Sequence, residues 1–320
     1  MTATNVTFKV FRFDPEKDTE GRYQDYTLAV APGETILNCV NRIKWEQDQT
    51  LAHRFSCGSA ICGSCAMKIN GHATLVCKTQ AMDKVKDGVI RIDPIGNLKP
   101  LRDLVVDLTP FWKSFEKVEP WLAPDAHSAP EKERLQTPEQ FAKIDNSTTC
   151  IMCAACFSDC NVLEVDKRYY GPATLAKAHR FIFDSRDART EARLRKVTEE
   201  TGVWDCTHCG ECSTRCPTET KPLARINEIR QAAMKAGMHD TSGARHVLGF
   251  RETVGKRGLL DENYVPIRSV GFFNLAGLLS LAPVGLRMLA RGKNPPFIPH
   301  SIEKAGEVRA IFAKREELNK

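Results

Sequence analysis

Two common sequence signatures are missing from the 320 residues. No Gly-x-Gly-x-x-Gly fingerprint occurs, so we expect the chain itself to bind neither a flavin nor a nicotinamide dinucleotide. The start, MTATNVTFKVFRFDPE, lacks the basic residues and the apolar run of a signal peptide, so we expect no secretion signal. The first absence argues against a self-contained dinucleotide-dependent enzyme, and the second argues against a secreted, disulfide-stapled protein.

Excess charge is also missing from most of the chain. The formal net charge is +6, and residues 241–320, with 13 Lys and Arg against seven Asp and Glu, supply all of it. A nucleic-acid-binding protein would carry a basic stripe on its folded body, so we predict no nucleic-acid partner. A basic tail on a neutral body instead suits an anionic membrane surface or an acidic partner.

Cysteine, by contrast, is abundant, with 13 residues, twelve of which fall into three tight groups. Closely spaced Cys-x-x-Cys groups in a chain without a secretion signal indicate metal binding rather than disulfides. The remaining cysteine, Cys39, lies with Ile36 and Val40 on the apolar face of a predicted helix, where a free thiol behaves as a small hydrophobic residue. We therefore predict twelve metal ligands and one core residue.

The first group has the Cys-x4-Cys-x2-Cys spacing of a plant-type [2Fe–2S] site, with a fourth cysteine after eleven intervening residues. The predicted ligands are Cys57, Cys62, Cys65 and Cys77. The loop CGSAICGSC surrounds them with Gly and Ser, small residues that let backbone N–H groups donate to the sulfurs. A four-cysteine zinc site is the alternative, but such sites usually pair two Cys-x-x-Cys knuckles.

Two further groups share the spacing Cys-x2-Cys-x2-Cys-x3-Cys, in CIMCAACFSDCN and CTHCGECSTRCP. In such a run three cysteines reach one cubane cluster, and the fourth lies too far along the chain and ligates the other cluster. The spacing therefore predicts two [4Fe–4S] clusters that exchange their fourth ligands. The predicted sets are Cys150, Cys153, Cys156 and Cys216 for the first cluster, and Cys206, Cys209, Cys212 and Cys160 for the second.

The first part of the chain has the pattern of a small mixed sheet with one helix. VTFKVFRF and YTLAV alternate apolar and polar residues as half-buried strands do. Phe11 and Phe13 break the phase, so the first strand either bulges there or ends with both faces covered. A Pro-Gly pair then turns the chain into the helix, and Asn70-Gly71 predicts a tight turn between strands. Further strands are predicted at residues 67–69 and 89–92.

The later part of the chain has helical patterns. Thr137, Pro138 and Gln140 provide an N-cap, a first-position proline and the third residue of a capping box. Another helix is predicted from Pro172 to Phe183. The predicted domains are a [2Fe–2S] domain at 1–110, a linker at 111–136, a helical two-cubane domain at 137–240 and a basic, partly apolar extension at 241–320.

The extension contains VGFFNLAGLLSLAPVGL, 17 residues without a charge between Arg268 and Arg287. The stretch is slightly short for a membrane-spanning helix, and Pro283 and three glycines interrupt it. Three interpretations stay open. It is a transmembrane helix, an interfacial or docking segment beside basic residues, or a buried helical hairpin.

With the cysteine sets placed, residues 5–240 resemble the iron–sulfur subunit of the succinate dehydrogenase/fumarate reductase family. CGSAICGSCAMKINGHATLVC is similar to the family's [2Fe–2S] loop, LRDLVVDLTPFW with EPWL to its domain linker, and GPATLAKAHRFIFDSRD to the segment between its cubane runs. The resemblance implies an α+β fold. An N-terminal β-grasp domain of the plant-type [2Fe–2S] ferredoxin kind would precede an α-helical ferredoxin domain with a helical or irregular C-terminal extension.

The resemblance also implies a function in electron transfer, without catalytic residues or a substrate site on this chain. The implied partners are a flavoprotein subunit that carries FAD and a membrane anchor, with quinone nearby. Electrons would pass from the flavin to [2Fe–2S], then through the first and second cubanes to the acceptor. The implied location is the cytoplasmic side of the cell membrane, as a peripheral protein.

Several departures from the family pattern lie at the second cubane. Most members have an aliphatic residue at the position of Cys209 and hold a [3Fe–4S] cluster, so a cysteine there implies [4Fe–4S]. Asn161 replaces a proline, a tryptophan that normally follows is absent, and Thr207 replaces a common histidine. In ordinary members these positions help form the quinone pocket. The adjacent His208 is expected to be an ordinary surface residue.

The basic extension is similar to the ends of family variants that pair with a cysteine-rich, heterodisulfide-reductase-like subunit. Two other functions stay open. One is the iron–sulfur subunit of another flavin-linked dehydrogenase or of a heterodisulfide-reductase-like complex, although those often have only the two-cubane module. The other is a free soluble ferredoxin-like carrier, although such a carrier needs no long extension.

Overall fold

The computed structural model describes residues 3–125, 130–199, 201–296 and 298–318. Residues 126–129 of the predicted linker therefore lie outside the described residues. The chain divides into two compact units, Met1–Ala232 and Ala233–Lys320. The predicted domain boundaries at 110, 136 and 240 differ from this division and stay predictions.

A five-stranded mixed sheet and one helix form the N-terminal part of the first unit. The strands are β1 (Thr4–Arg12), β2 (Arg22–Val30), β3 (Ala66–Ile69), β4 (His72–Leu75) and β5 (Val89–Asp93), and a separate ribbon pairs β6 (Pro100–Arg102) with β7 (Val105–Val106). The sheet order is β2-β1-β5-β3-β4, and only β1 and β5 pair in parallel. Helix α1 (Ile36–Arg42), continued by a wider turn at Ile43–Gln47, buries the apolar face that the sequence predicts.

Alternation along β1 decides which side chains face the core. Val6, Phe8 and Val10 are fully buried, and the pairing with β2 continues without a break along the whole strand. The strand therefore does not bulge, and it ends at Arg12, between Phe11 and Phe13, which is the second of the two predicted outcomes. Phe11 is half-buried on the opposite face, with its ring edge-on to Tyr23.

Arg12 is buried in the next inward position along β1 because several acceptors surround its guanidinium. It donates from Nε to Asp103 Oδ1 at 2.9 Å and from Nη2 to Thr50 Oγ1 at 2.8 Å, and it also pairs with Asp48. Burial alone would lower the pKa of Arg12, but the hydrogen bonds to Asp103 and Asp48 raise it above its ordinary value. These partners compensate the cost of burying the Arg12 charge at the end of β1.

The predicted turn between β3 and β4 is confirmed. Asn70 and Gly71 have φ values of +50° and +87° and form the two-residue loop of the hairpin. Two left-handed residues match the right-handed twist of the flanking strands, which explains the Asn-Gly pair.

Short helices form the rest of the first unit. They are α2 (Thr109–Glu116), α3 (Pro138–Ala142), α4 (Asp145–Thr148), α5 (Ala155–Ser158), α6 (Asn161–Val165), α7 (Pro172–Ile182), α8 (Thr190–Thr198), α9 (Glu211–Thr214) and α10 (Pro222–Lys235). The last of these continues past Ala232 into the residues of the second unit. The capping box of α3 forms as predicted, with both Thr137–Gln140 hydrogen bonds present. Helix α7 also matches its prediction, but it is buried on every side except at Lys177 and Arg180.

The segment predicted as a linker begins with an ordered, packed helix. In α2, Phe111 is fully buried and its ring lies edge-on to Phe157 at 5.5 Å. Arg193, paired with Asp187 at 3.0 Å, donates to the main-chain carbonyls of residues 118, 119 and 121. The start of the predicted linker is therefore fixed on the helical part of the unit.

One carboxylate connects the sheet to both cubane-type cysteine runs. Asp159 accepts a hydrogen bond from the Ala73 backbone N–H in β4 at 2.9 Å, and it pairs with Lys68 of β3 at 3.6 Å and with Arg215 at 3.3 Å. Asp159 and Arg215 each stand directly before the last cysteine of a run. The ion pairs therefore fix the ends of the two runs beside each other and beside the sheet.

The second unit consists of α11 (Ser242–Arg257), α12 (Tyr264–Val270), α13 (Leu275–Ala290) and α14 (Ala305–Leu318). Helix α13 continues through Pro283, and none of its residues is buried, so the buried-hairpin interpretation was wrong. Within the described ranges, no helix has both the length and the hydropathy needed to cross a membrane.

We predict that Asp159→Ala lowers the melting temperature of the cluster-loaded protein by several degrees. The change leaves Lys68 and Arg215 without this partner, and leaving a group without its hydrogen-bonding partner costs about 1–3 kcal/mol, which is worth about 2–4 °C per kcal/mol in a domain of the size of the first unit. Glu191→Ala is the control, because it removes an exposed pair with Arg195 at 3.7 Å and should change little. Equal losses in the two variants would contradict the assigned role.

Candidate functional site

The loop that carries the first cysteine group is folded by left-handed residues. Gly58, Ala60 and Gly63 have φ values of +66°, +58° and +74°. These residues curve the loop tightly, so several consecutive backbone N–H groups point to the inside of the loop. Of the four cysteines, Cys57 and Cys62 are exposed, whereas Cys65 and Cys77 are buried.

Backbone N–H groups in this loop donate to the cysteine sulfurs, as the sequence predicts. The N–H groups of Ser59, Ile61 and Cys62 lie 3.3–3.4 Å from Cys57 Sγ, and that of Ala60 lies 3.3 Å from Cys77 Sγ. The Ser64 hydroxyl lies 3.2 Å from Cys62 Sγ and is the main reason that the pKa of Cys62 is lowered to about 6. Burial raises the pKa of Cys65 to about 12. The N–H and hydroxyl donors therefore favour negative charge on the sulfurs of Cys57, Cys62 and Cys77, whereas burial opposes it at Cys65.

The structure brings the last cysteine of the second run to the first run. Cys150, Cys153, Cys156 and Cys216 line one small cavity, and their thiols interact electrostatically with one another. Burial raises the pKa of Cys153 to about 11, so the thiol would give up its proton only to a strongly binding metal.

The reciprocal grouping is also present. The thiol of Cys160, at the end of the first run, interacts electrostatically with those of Cys206 and Cys209, and Cys212 interacts with all three. The two predicted sets of four are therefore each drawn from both runs. That these cysteines are cluster ligands stays a prediction.

The two runs share one backbone geometry as well as one spacing. Met152 and Ala154 flank Cys153 with φ values of +54° and +62°, and His208 and Gly210 flank Cys209 with +59° and +85°. Cys209 thus occupies the same kind of turn as Cys153. In each run, the left-handed residues on either side of the second cysteine turn it toward the other cysteines of its set.

Two contacts between the sets were not foreseen from the sequence. A Cβ atom built on Gly63 would lie 2.9 Å from Cys153 Cβ, so the first loop touches the first cubane-type run directly. Cys156 interacts electrostatically with Cys212 of the other set. The three sets are therefore neighbours in one unit, in the order in which their first cysteines occur along the chain.

Tyr169 and Arg230 lie beside the second set, and sequence reasoning missed both. Burial and the thiols of Cys206 and Cys160 raise the pKa of the buried Tyr169 well above its ordinary value. Arg230 donates to the carbonyl oxygens of residues 203, 204 and 206 at 2.9–3.0 Å, which fixes the turn that enters the set. No local pattern marks either residue, because both lie outside the cysteine runs, Tyr169 nine positions after Cys160 and Arg230 fourteen positions after Cys216.

The departures noted at the second set contact one another. Thr207 Oγ1 donates to Asn161 Oδ1 at 3.1 Å and so joins the end of the first cysteine run to the start of the second. His208 is exposed, as predicted, although its ring contacts Arg230. Partial burial and the charge of Arg230 lower the pKa of His208.

Comparison with known proteins identifies the family. Residues 7–113 match the family model of a 2Fe-2S iron-sulfur cluster binding domain, and residues 146–220 match that of a 4Fe-4S dicluster domain. The chain is 38% identical over 228 residues to the succinate dehydrogenase iron-sulfur subunit of Coxiella burnetii, covering 70% of this chain and 95% of that protein. The chain belongs to the family of succinate dehydrogenase and fumarate reductase iron–sulfur subunits.

Other family members delimit the shared region. The fumarate reductase iron-sulfur subunit of Escherichia coli O157:H7 is 35% identical, with 72% of this chain and 94% of that protein covered. A solved chain of the Mycobacterium smegmatis Sdh1 complex in the apo form is 26% identical, with a TM-score of 0.66 and coverage of 73% and 97%. These relationships confirm the predicted α+β fold with its [2Fe–2S] and helical [4Fe–4S] domains.

One relative extends the similarity further along the chain. The 8-methylmenaquinol:fumarate reductase iron-sulfur subunit of Wolinella succinogenes is 34% identical over 279 residues, covering 85% of this chain and 86% of that protein. Because residues 1–240 make up three quarters of the chain, this similarity reaches into the basic extension.

We predict that Gly63→Ala damages the contact between the first two cysteine sets. The new Cβ would lie 2.9–3.0 Å from Cys153 and from Ile151 O, at a φ of +74°, and such overpacking costs about 1–3 kcal/mol. The variant should melt several degrees lower and lose iron more readily on gel filtration. Gly58→Ala is the matched control, since its φ is +66° but nothing lies within 4 Å of the new Cβ. If both variants behave alike, backbone strain rather than the contact explains the effect.

Proposed function

We propose that this chain is the electron-transfer subunit of a succinate:quinone or quinol:fumarate oxidoreductase. It would pass electrons between a flavoprotein subunit that carries FAD and a quinone-reactive membrane module. The observation that carries the proposal is the adjacency of three cysteine sets within one unit, through the Gly63–Cys153 contact and the Cys156–Cys212 pair. The names of the relatives, succinate dehydrogenase and fumarate reductase iron-sulfur subunits, support the substrate class.

The proposed ligands follow the groupings in the structure. Cys57, Cys62, Cys65 and Cys77 would hold a [2Fe–2S] cluster; Cys150, Cys153, Cys156 and Cys216 a [4Fe–4S] cluster; and Cys206, Cys209, Cys212 and Cys160 a second [4Fe–4S] cluster. When bound, these groups accept and release single electrons. The chain's own contribution is to hold thiolates, to donate backbone N–H groups to the sulfurs and to place charge nearby.

The proposal of a second [4Fe–4S] cluster rests on Cys209. The residue lies in the same doubly left-handed turn as Cys153 and interacts electrostatically with Cys160 and Cys212. A fourth thiolate in this set completes the coordination of a cubane, whereas an aliphatic residue would leave one corner without a ligand. The nearby guanidinium of Arg230 places positive charge beside the set.

We further propose that the membrane module is of the cysteine-rich, heterodisulfide-reductase-like kind and that the complex lies on the cytoplasmic side of the membrane. The kind of module follows from the resemblance of the basic extension to the ends of such variants. The similarity to the 8-methylmenaquinol:fumarate reductase iron-sulfur subunit, which reaches into the same extension, supports a quinone-linked acceptor. The Thr207–Asn161 hydrogen bond supports the proposed kind of module, since it occupies positions that form a quinone pocket in ordinary members.

The proposed order of electron transfer, from the flavin to [2Fe–2S] and then through the two cubanes, predicts the effect of Cys65→Ser in the complex with the flavoprotein. Serine is a poor iron ligand, so the [2Fe–2S] cluster should be lost or altered. Electron transfer from succinate to any acceptor beyond this cluster should then fall by at least about tenfold. Reduction of the flavin by succinate, followed by its absorbance, should stay at the wild-type rate.

Cys39→Ala is the control for this experiment. Cys39 is fully buried in the sheet domain and lies in none of the three sets, so the variant should keep its iron and its electron transfer. Loss of flavin reduction in Cys65→Ser, equal to the loss of downstream transfer, would contradict the proposed order.

A further inference from the structure

Helix α13 exposes a continuous row of apolar side chains. Leu275, Leu279, Leu286 and Leu289 lie on one face of the helix at i, i+4, i+11 and i+14. Their exposed fractions are 71%, 63%, 65% and 56%, and Phe273, just before the helix, is fully exposed. We call these five residues the α13 stripe. Contiguous exposed apolar surface of this kind marks an interaction site.

The α13 stripe is not the face by which the helix packs on its own unit. Leu278, Leu281 and Met288, at i, i+3 and i+10, lie on the adjoining flank of the helix and are partly shielded. Gly277 lies against α12, where an added Cβ would come within 2.5 Å of Val270. The helix therefore uses one face for internal packing and leaves the stripe without a partner in the described chain.

The charged residues near the stripe in the sequence have a single sign. No Asp or Glu occurs from residue 263 to residue 302, whereas Arg268, Arg287, Arg291 and Lys293 lie within that range. Arg287 directly follows Leu286 of the stripe, Arg291 lies one turn later, and both are exposed. A surface with uniform positive charge next to apolar side chains is complementary to a layer of anionic headgroups above acyl chains.

We propose that α13 is an interfacial helix that binds an anionic lipid surface. The α13 stripe enters the boundary between headgroups and acyl chains, and Arg287, Arg291 and Lys293 contact the lipid phosphates. With 16 residues, the helix is about 24 Å long, which is too short to span a hydrocarbon core of about 30 Å. This binding goes beyond the proposed function, because it requires neither iron nor a partner subunit.

Sedimentation of the cluster-loaded protein with lipid vesicles tests the proposal. The probes are vesicles of phosphatidylcholine alone and of phosphatidylcholine mixed with phosphatidylglycerol. The wild-type chain should bind the mixed vesicles at least about tenfold more tightly than the neutral ones. The variant Arg287→Gln/Arg291→Gln/Lys293→Gln should lose this preference, and Leu279→Glu/Leu286→Glu should lose about tenfold or more of the binding to mixed vesicles.

The control variant is Ile311→Glu/Leu318→Glu, which adds the same two charges on α14. Ile311 and Leu318 are 66% and 78% exposed and lie outside the stripe, so binding should fall much less than in the leucine variant. Iron content and dye-linked electron transfer, measured on every variant, separate a failure of the proposed function from a failure of lipid binding.

Three results would overturn the proposal. The first is wild-type protein that does not sediment with mixed vesicles, including protein that binds only native membranes with their proteins intact, which would make the α13 stripe a protein-docking surface. The second is a control variant that loses as much binding as the leucine variant. The third is binding that depends on the three basic residues but not on Leu279 and Leu286, which would be adsorption by charge without insertion.

Discussion

The fourth cysteine of a cubane-type run lies too far along the chain to ligate the same cluster as the first three. Each run is therefore incomplete without the other, and the fold must hold the two side by side. The structure meets this requirement with Cys216 beside the first run and Cys160 beside the second. The ion pair of Asp159 with Arg215 lies next to both of these cysteines and connects them to the sheet.

The same constraint shapes the neighbouring structure. Each run bends through two left-handed residues, one on either side of its second cysteine. The almost wholly buried α7 lies between the two runs in the sequence. The [2Fe–2S] loop then approaches the first run so closely that only a glycine fits at position 63. The first and second cysteine sets thus approach each other through a close contact at a glycine.

Local sequence patterns predicted the local features of this protein. The strand alternation, the Asn70-Gly71 turn and the Thr137 capping box depend on neighbouring residues and were visible in the sequence. Cysteine spacing also predicted the grouping into sets, because the reach of a side chain limits which ligands can share a cluster. The inward Arg12 and the Gly63–Cys153 contact depend on residues far apart in the chain, so no periodicity could indicate them. The exposure of α13 could not be predicted, and its sequence left three interpretations open. An apolar helix has the same pattern whether it is buried or binds a surface.

The exchange of the fourth ligands is the central claim, and EPR of two double variants tests it most directly. In a Cys209→Ile background the second set should hold a [3Fe–4S] cluster, whose signal in the oxidised protein marks that set; wild-type protein should lack this signal. Adding Cys160→Ser should then remove or alter the marker signal. Adding Cys216→Ser should leave the marker signal intact and affect the reduced-state signal of the first cubane. The opposite pattern, with the marker lost in Cys216→Ser and kept in Cys160→Ser, would show that each run ligates its own cluster and would contradict the account.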